Sequence, residues 1–200
     1  MSDPDARTGK VVVNRAMSLD GFIAGPGDAM AWVFEFMGPV LEASPEIMAA
    51  TGAMLIGRRT YDVGKRLAAE APGPAYDGGP QFVLTHVPPD PPDPSVTFLS
   101  GDIDAAVARA RSAAGGKDLE ILGADVAGQC LRRGLVDEIL VYVLPVLLGD
   151  GTSFWPAGLG RIDLEPVSST QSGAVTILRF RVRRGPTQPA WLPPSRCSRP

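Results

Sequence analysis

The chain is poor in the residues that most often advertise chemistry. It has one histidine, His86, and two cysteines, Cys130 and Cys197. No second Cys or His stands near either cysteine at metal-ligand spacing, so neither a zinc site nor a disulfide framework is indicated, and a lone histidine gives no basis for a His-centred triad. No metal is expected. Long apolar runs are missing too: the longest, ILVYVLPVLL, falls well short of the ~18 residues that a membrane span requires. The opening MSDPDARTGK lacks the apolar core of a signal peptide, which with the sparse cysteines points to a reducing cytoplasm and no membrane partner. The formal net charge is −3, without the basic excess of a nucleic-acid binder, so nucleic acid is not an expected partner. Neither GxGxxG nor the P-loop pattern occurs, which removes the two commonest nucleotide fingerprints.

What is present suffices for one domain with a sizeable core: 200 residues, 44% hydrophobic and 20% charged. Proline is in excess, at 20 residues, twice the usual ~5%. Five stand in VPPDPPDP (87–94) and five in the last fifteen residues. Proline fixes φ and lacks an N–H, so both stretches exclude regular helix. The first reads as a stiff loop on the domain, the second as a poorly ordered tail. The division expected is a tail over 1–9, one domain over 10–184 and a Pro-rich tail over 185–200.

The domain alternates strand and helix. VVV within 10–16 reads as a buried strand, followed by the long shaped loop SLDGFIAGPGDAM. SPEIMAATGAMLIG reads as a short helix with Ser44 as N-cap, closed by Gly52 before a strand over 53–56, and a second helix starts near Thr60. PQFVLTH and SVTFLS read as strands, DIDAAVARARSAAGG as a helix, LEILG as a strand, and ADVAGQCLRRG as a helix capped by Asp125. VDEILVYVLPVLL is a long strand, and period-two alternation from Val175 to Arg183 marks a late, half-exposed one. A central sheet with α/β alternation, closed by antiparallel strands, follows.

Two segments share one design, an apolar strand, a glycine and a helix start: MLIG/RRT and LEILG/ADV. On parallel strands both helix starts fall at the carboxyl edge of the sheet, where nucleotide phosphates bind. The first places Arg58 and Arg59 at a helix end that already carries partial positive charge. A phosphate between them, met also by Thr60, would resolve the conflict; a solvated pair beside a structural glycine is the alternative. Gly123, Ala124 and Asp125 fit either a second phosphate contact or ordinary packing. Gly128, costly inside a helix, requires a close approach to a cofactor or to a neighbouring element. Asp20 reads as a turn residue. Glu35, flanked by Val33, Phe34, Phe36 and Met37, is a candidate proton donor if those neighbours desolvate it, with a solvated glutamate as the alternative. His86 could contact an anion at the sheet edge or lie on the surface. Asp137, Glu138 and Asp150 read as solvated.

The motifs SLDGFIA, AMLIGRRTYDVG, FVLTH, LEILGADVAGQCL and GLVDEILVYVLPVLLGDGTSFW, in this order, resemble the dihydrofolate reductase-like superfamily, especially the reductase domain of bifunctional riboflavin-biosynthesis enzymes. The resemblance covers nearly all of 10–183. It implies a mixed, mostly parallel sheet flanked by helices, and a reductase that takes hydride from NADPH to a small heterocycle. By position, Ala16 and Ile23 would line the nicotinamide pocket, and Gly57, Arg58, Arg59 and Thr60 would hold phosphates. Thr85 and His86 would lie near the adenosine, and Gly123, Ala124, Asp125, Val126 and Ala127 would meet the pyrophosphate. Met30 and Trp32 would stand by the substrate, Glu35 or water would deliver the proton, and Asp20 would shape the loop beneath the nicotinamide. Three positions depart from the pattern. Phe22 replaces a lysine common in the riboflavin enzymes, no cation stands near Gly79 to grip a folate tail, and Gly123-Ala124 replaces a Gly-Gly pair. The alternatives to a pyrimidine-type reductase are a noncatalytic ligand-binding protein that keeps the fold and a true dihydrofolate reductase. A homodimer is expected, because the late apolar strands offer more surface than one sheet face must bury.

Overall fold

A computed structural model describes residues 9–42, 45–70 and 79–183. The tail expected over 185–200, most of that over 1–9, and the Ser44 cap lie outside the described residues. In chain order the elements are β1 (Val11–Ser18), β2 (Phe22–Ala24), α1 (Ala31–Phe34), α2 (Met37–Glu42), α3 (Pro45–Ala50), β3 (Thr51–Gly57), α4 (Arg58–Glu70), β4 (Gln81–Leu84), β5 (Thr97–Leu99), α5 (Ile103–Ala113), β6 (Asp118–Leu122), α6 (Ala124–Arg132), β7 (Glu138–Leu144), β8 (Thr152–Ser153), β9 (Leu164–Ser172) and β10 (Val175–Val182).

Eight strands form one sheet in the order β5-β4-β3-β6-β1-β7-β10-β9. Every neighbouring pair from β5 to β7 is parallel. The last two strands join antiparallel. This is the mixed, mostly parallel sheet with antiparallel C-terminal strands expected from the sequence. β2 and β8 pair separately, and β2 packs beside β1.

Both sheet faces are covered, so β1 reads as a continuous apolar run whose side chains part by period two. Val11 and Val13 enter the core under α5 and α6; Val12 enters the one that holds Trp32, Val33, Leu140 and Tyr142. Arg15 has the parity of Val11 and Val13. Among the described residues, no helix is long and apolar enough to cross a membrane.

Several local expectations need correction. Gly52 does not close a helix but lies within β3, where the register shifts and a Cβ would come within 2.2 Å of the Ala114 carbonyl oxygen. Asp125 is not the cap of α6: Gly123 is, and Asp125 sits in the first turn. A cis peptide lies at Asp90-Pro91 in the Pro-rich loop. Glu138, read as solvated, is 2% exposed. Its carboxylate accepts from Lys10 Nζ at 2.6 Å and Arg179 Nε at 2.7 Å. Burial pushes its pKa up, but the two cations more than offset this and hold it below the ordinary value of 4.5.

Candidate active site

The two strand–glycine–helix junctions meet. Gly57 ends β3 and Gly123 follows β6, its neighbour in the sheet, so the starts of α4 and α6 lie side by side at the carboxyl edge. Gly123 has φ 98°, a region in which only glycine is comfortable, and a Cβ there would stand 2.5 Å from Thr60 Oγ1. A Cβ on Gly57 would press Val126 Cγ2 at 3.2 Å. Each junction therefore requires the small residue of the other. Between them opens a cavity of about 390 Å³.

Most of the residues singled out from sequence border this cleft: Ile23, Met30, Gly57, Arg58, Arg59, Thr60, Thr85, His86, Gly123, Ala124, Asp125 and Val126. Three others pack in the interior. Trp32 and Ala127 are buried, and Ala16 packs against the core on the opposite sheet face. Gly128 makes its close approach to Pro156, whose Cγ would lie 2.4 Å from an added Cβ, so that glycine serves packing.

The arginine pair at α4 is compensated from within the chain. Arg58 forks onto Asp62 one turn on, with Nε–O distances of 2.8 and 2.9 Å, and donates to the Val87 carbonyl at 2.7 Å. Arg59 forks onto Asp28 across the cleft at 2.7 and 3.0 Å, and Asp28 holds its pKa above the ordinary value. The Pro-rich loop is fixed to the same helix. Asp93 accepts from Ser95, Lys65 and Tyr61, which keep its carboxyl well below the usual range, while Tyr61 meets Phe98 edge to face.

Glu35 follows α1 with an exposed side chain outside the cleft lining. Asp20 ties loops together. It accepts from Ser18 Oγ at 2.6 Å and from the N–H groups of Gly149 at 2.7 Å and Leu148 at 3.1 Å, and these bonds, Ser18 first, hold its carboxyl below the ordinary 3.8. Cys130 is a core residue with its thiol pushed up to about 12 by burial.

Arg15 was not singled out from sequence. It lines the floor of the cleft, its Nε is buried, and no hydrogen-bond partner reaches it among the described residues. Burial pulls its pKa down, and the field of Glu120 offsets this in part. A cation inside an apolar strand, in phase with Val11 and Val13, was the available signal. Asp28, Thr152 and Gln129 also border the cleft without having been marked. They come from loops and a helix flank whose placement depends on the assembled sheet.

The family model of the RibD C-terminal domain matches residues 9–178. The uncharacterized protein YwjB of Bacillus subtilis (strain 168) is 30% identical over 171 residues, which span 86% of this chain and 97% of that protein. Among solved structures, a putative riboflavin biosynthesis protein from Shewanella sp. PV-4 superposes with a TM-score of 0.71 at 23% identity, over 88% of this chain and 99% of that one. Dihydrofolate reductase from Enterococcus faecalis, in complex with NADP(H), superposes with a TM-score of 0.59 at 14% identity, over 88% and 97% of the two chains.

Proposed function

The chain belongs to the RibD C-terminal domain family, and from that premise we propose that it is an NADPH-dependent reductase acting on a small heterocycle of pyrimidine or pterin type. The observation that carries the reading is the convergence of two helix starts on one cleft at the carboxyl edge of a parallel sheet, with glycines where a ligand's phosphates would need close backbone approach. The donor set fits the dinucleotide: N–H groups at α6 with no side-chain cap, guanidinium groups at the rim and a further one on the floor whose Nε has no partner among the described residues.

In this reading Gly57, Thr60 and the α6 start hold the phosphates, and Arg59 swings from Asp28 to the additional phosphate that distinguishes NADPH from NADH. Thr85 and His86 border the adenosine end, and Ile23, Ala24 and Met30 form the wall at the reacting end. The bound dinucleotide would supply the hydride. The chain's own contribution is positional: to orient the reacting partners and exclude water around them. Proton delivery falls to water rather than Glu35, since that side chain is exposed and the cleft carboxylates Asp28 and Asp125 are engaged by Arg59 and Gln129.

The test is fluorescence titration with NADPH and NADH, followed by dinucleotide oxidation in the presence of candidate pyrimidines and pterins. Binding of neither dinucleotide abandons the reading. Binding without turnover of any heterocycle favours the noncatalytic alternative.

A homodimer is proposed with a narrower basis than the sequence suggested. The apolar late strands are largely consumed inside the chain, with β7 buried between β1 and β10. The edge strand β9 keeps Leu164 and Val167 exposed at 36% and 45%. Light scattering that returns only monomer ends the proposal.

A further inference from the structure

We propose that Arg15 and the start of α6 form one receptor for a phosphate-type anion on the floor of the cleft. The assignment rests on the reading of the cleft as a dinucleotide site for the origin of that anion, while its electrostatic ground stands without hydride transfer.

Three observations converge. Arg15 lines the cleft with its Nε buried and unpartnered among the described residues. The β1–β6 pairing ends at Val13–Ile121, two residues short of Arg15 on one strand and of Gly123, which opens α6, on the other, and both residues border the cleft. No side chain caps that helix, so its first N–H groups and their share of positive charge are open. A guanidinium and a helix start repel one another, and burial weakens the screening that would make this tolerable.

The rest of the cleft handles the same problem differently. At the start of α4, Arg58 holds Asp62 and Arg59 holds Asp28, so each rim cation has its own carboxylate. On the floor the compensation is partial: the field of Glu120 reaches Arg15 without an ion-pair contact among the described residues, and Asp125 in the first turn of α6 is engaged by Gln129. One phosphate group answers both Arg15 and the helix start, because its oxygens accept from the planar guanidinium fork on one side and from backbone N–H groups on the other.

The anion has two possible sources, the diphosphate of the dinucleotide or a phosphate carried by the second substrate. Calorimetric titration of the full chain with inorganic pyrophosphate, with and without saturating NADPH, tests the receptor and separates the sources. Arg15→Met is expected to weaken pyrophosphate binding at least tenfold, and Arg15→Lys, which keeps the charge but loses the fork, by less. Ligand-free Arg15→Met is expected to melt at or above the wild-type temperature, because a buried charge that the field of Glu120 compensates only in part has been removed.

Equal pyrophosphate affinity in wild type and Arg15→Met overturns the proposal. So does a wild type that binds no pyrophosphate, or an Arg15→Met chain that is less stable or unfolded without ligand. In that last case the arginine is a structural strut. If NADPH displaces pyrophosphate, the receptor serves the dinucleotide; if pyrophosphate binds equally to the NADPH-saturated protein, it serves the second substrate. A chain that binds pyrophosphate through Arg15 but takes neither dinucleotide keeps the receptor and removes the reductase reading.

Discussion

Arg15 and Glu120 are interior charges on neighbouring strands, β1 and β6, facing opposite sides of the same sheet. Glu120 accepts from Asn14 Nδ2 at 2.8 Å and from Thr51 Oγ1 at 3.4 Å, beneath a polar hollow that Arg179 also lines. Among the described residues no hydrogen-bond partner reaches the buried Nε of Arg15. Both pay the desolvation of a buried charge and each feels the other's field, but only the carboxylate also recovers part of it through hydrogen bonds to neighbours fixed by the fold. A satisfied interior charge belongs to the architecture, whereas the buried Nε of Arg15, without a hydrogen-bond partner among the described residues, is the group that the proposed anion would meet.

The largest way to break this contrast is to remove the buried carboxylate that two cations share. Glu138→Ala removes the buried carboxylate shared by Lys10, 49% exposed, and Arg179, 31% exposed; loss of its two charge-assisted hydrogen bonds, discounted because water reaches both cations, costs about 3 kcal/mol. Thermal melting should fall by roughly 6–12 °C. The pH dependence has a definite sign. Since the folded-state pKa of Glu138 lies below 4.5, its contribution is present above that value and is lost as pH falls through the lowered one. The variant should therefore show a flatter acid limb than wild type when melting is followed downward from pH 6.

Gly123→Ala attacks the cleft itself. It places a side chain at φ 98° and 2.5 Å from Thr60 Oγ1, with an expected loss of about 2 kcal/mol and weakened dinucleotide binding, read by denaturant titration and fluorescence. Next comes Arg59→Ala. Its ion pair with Asp28 is exposed on the arginine side, at 66%, so stability should move by less than about 1 kcal/mol. NADPH affinity should drop about tenfold, or 1.4 kcal/mol, with NADH little changed. Equal losses for both dinucleotides refute the phosphate role given to Arg59.

The smallest effect is expected at the satisfied charge. Glu120→Gln keeps an acceptor for Asn14 and removes an ionisation that burial opposes. Burial raises the pKa of Glu120, so wild type loses stability as pH climbs from 4.5 through that raised value. The glutamine variant should not. At neutral pH it should match or exceed wild type by less than about 1 kcal/mol in urea denaturation.

The parts of this protein written in local pattern were legible from sequence. Strand–glycine–helix is such a pattern, and both junctions, the alternation of β3 through β7 and the antiparallel closure by β10 could be read from it. The edge strand β9 could not. LEPVSSTQS is mostly exposed, so no apolar period marks it, and backbone pairing to β10 alone makes it a strand. Glu138 looked solvated because its partners are distant in sequence and meet it only after β1, β7 and β10 align. Glu35 could be read from sequence as desolvated or solvated because its neighbours are apolar, and only the folded chain shows its side chain exposed at the end of α1. Arg15 was hidden by the strand around it, where a single cation reads as a minor blemish until parity places it on the cleft side.

The contact between Thr60 and Gly123 has one more consequence. Because the hydroxyl of the first helix start fills the room that a side chain on the second would need, the two positions constrain one another's bulk. Trimming the threonine to glycine should make space for alanine at 123, though not relieve its backbone angle. A double variant should then recover some of the single variant's lost stability, and that partial rescue would measure how much of the cleft's shape is held by mutual crowding of its two rims.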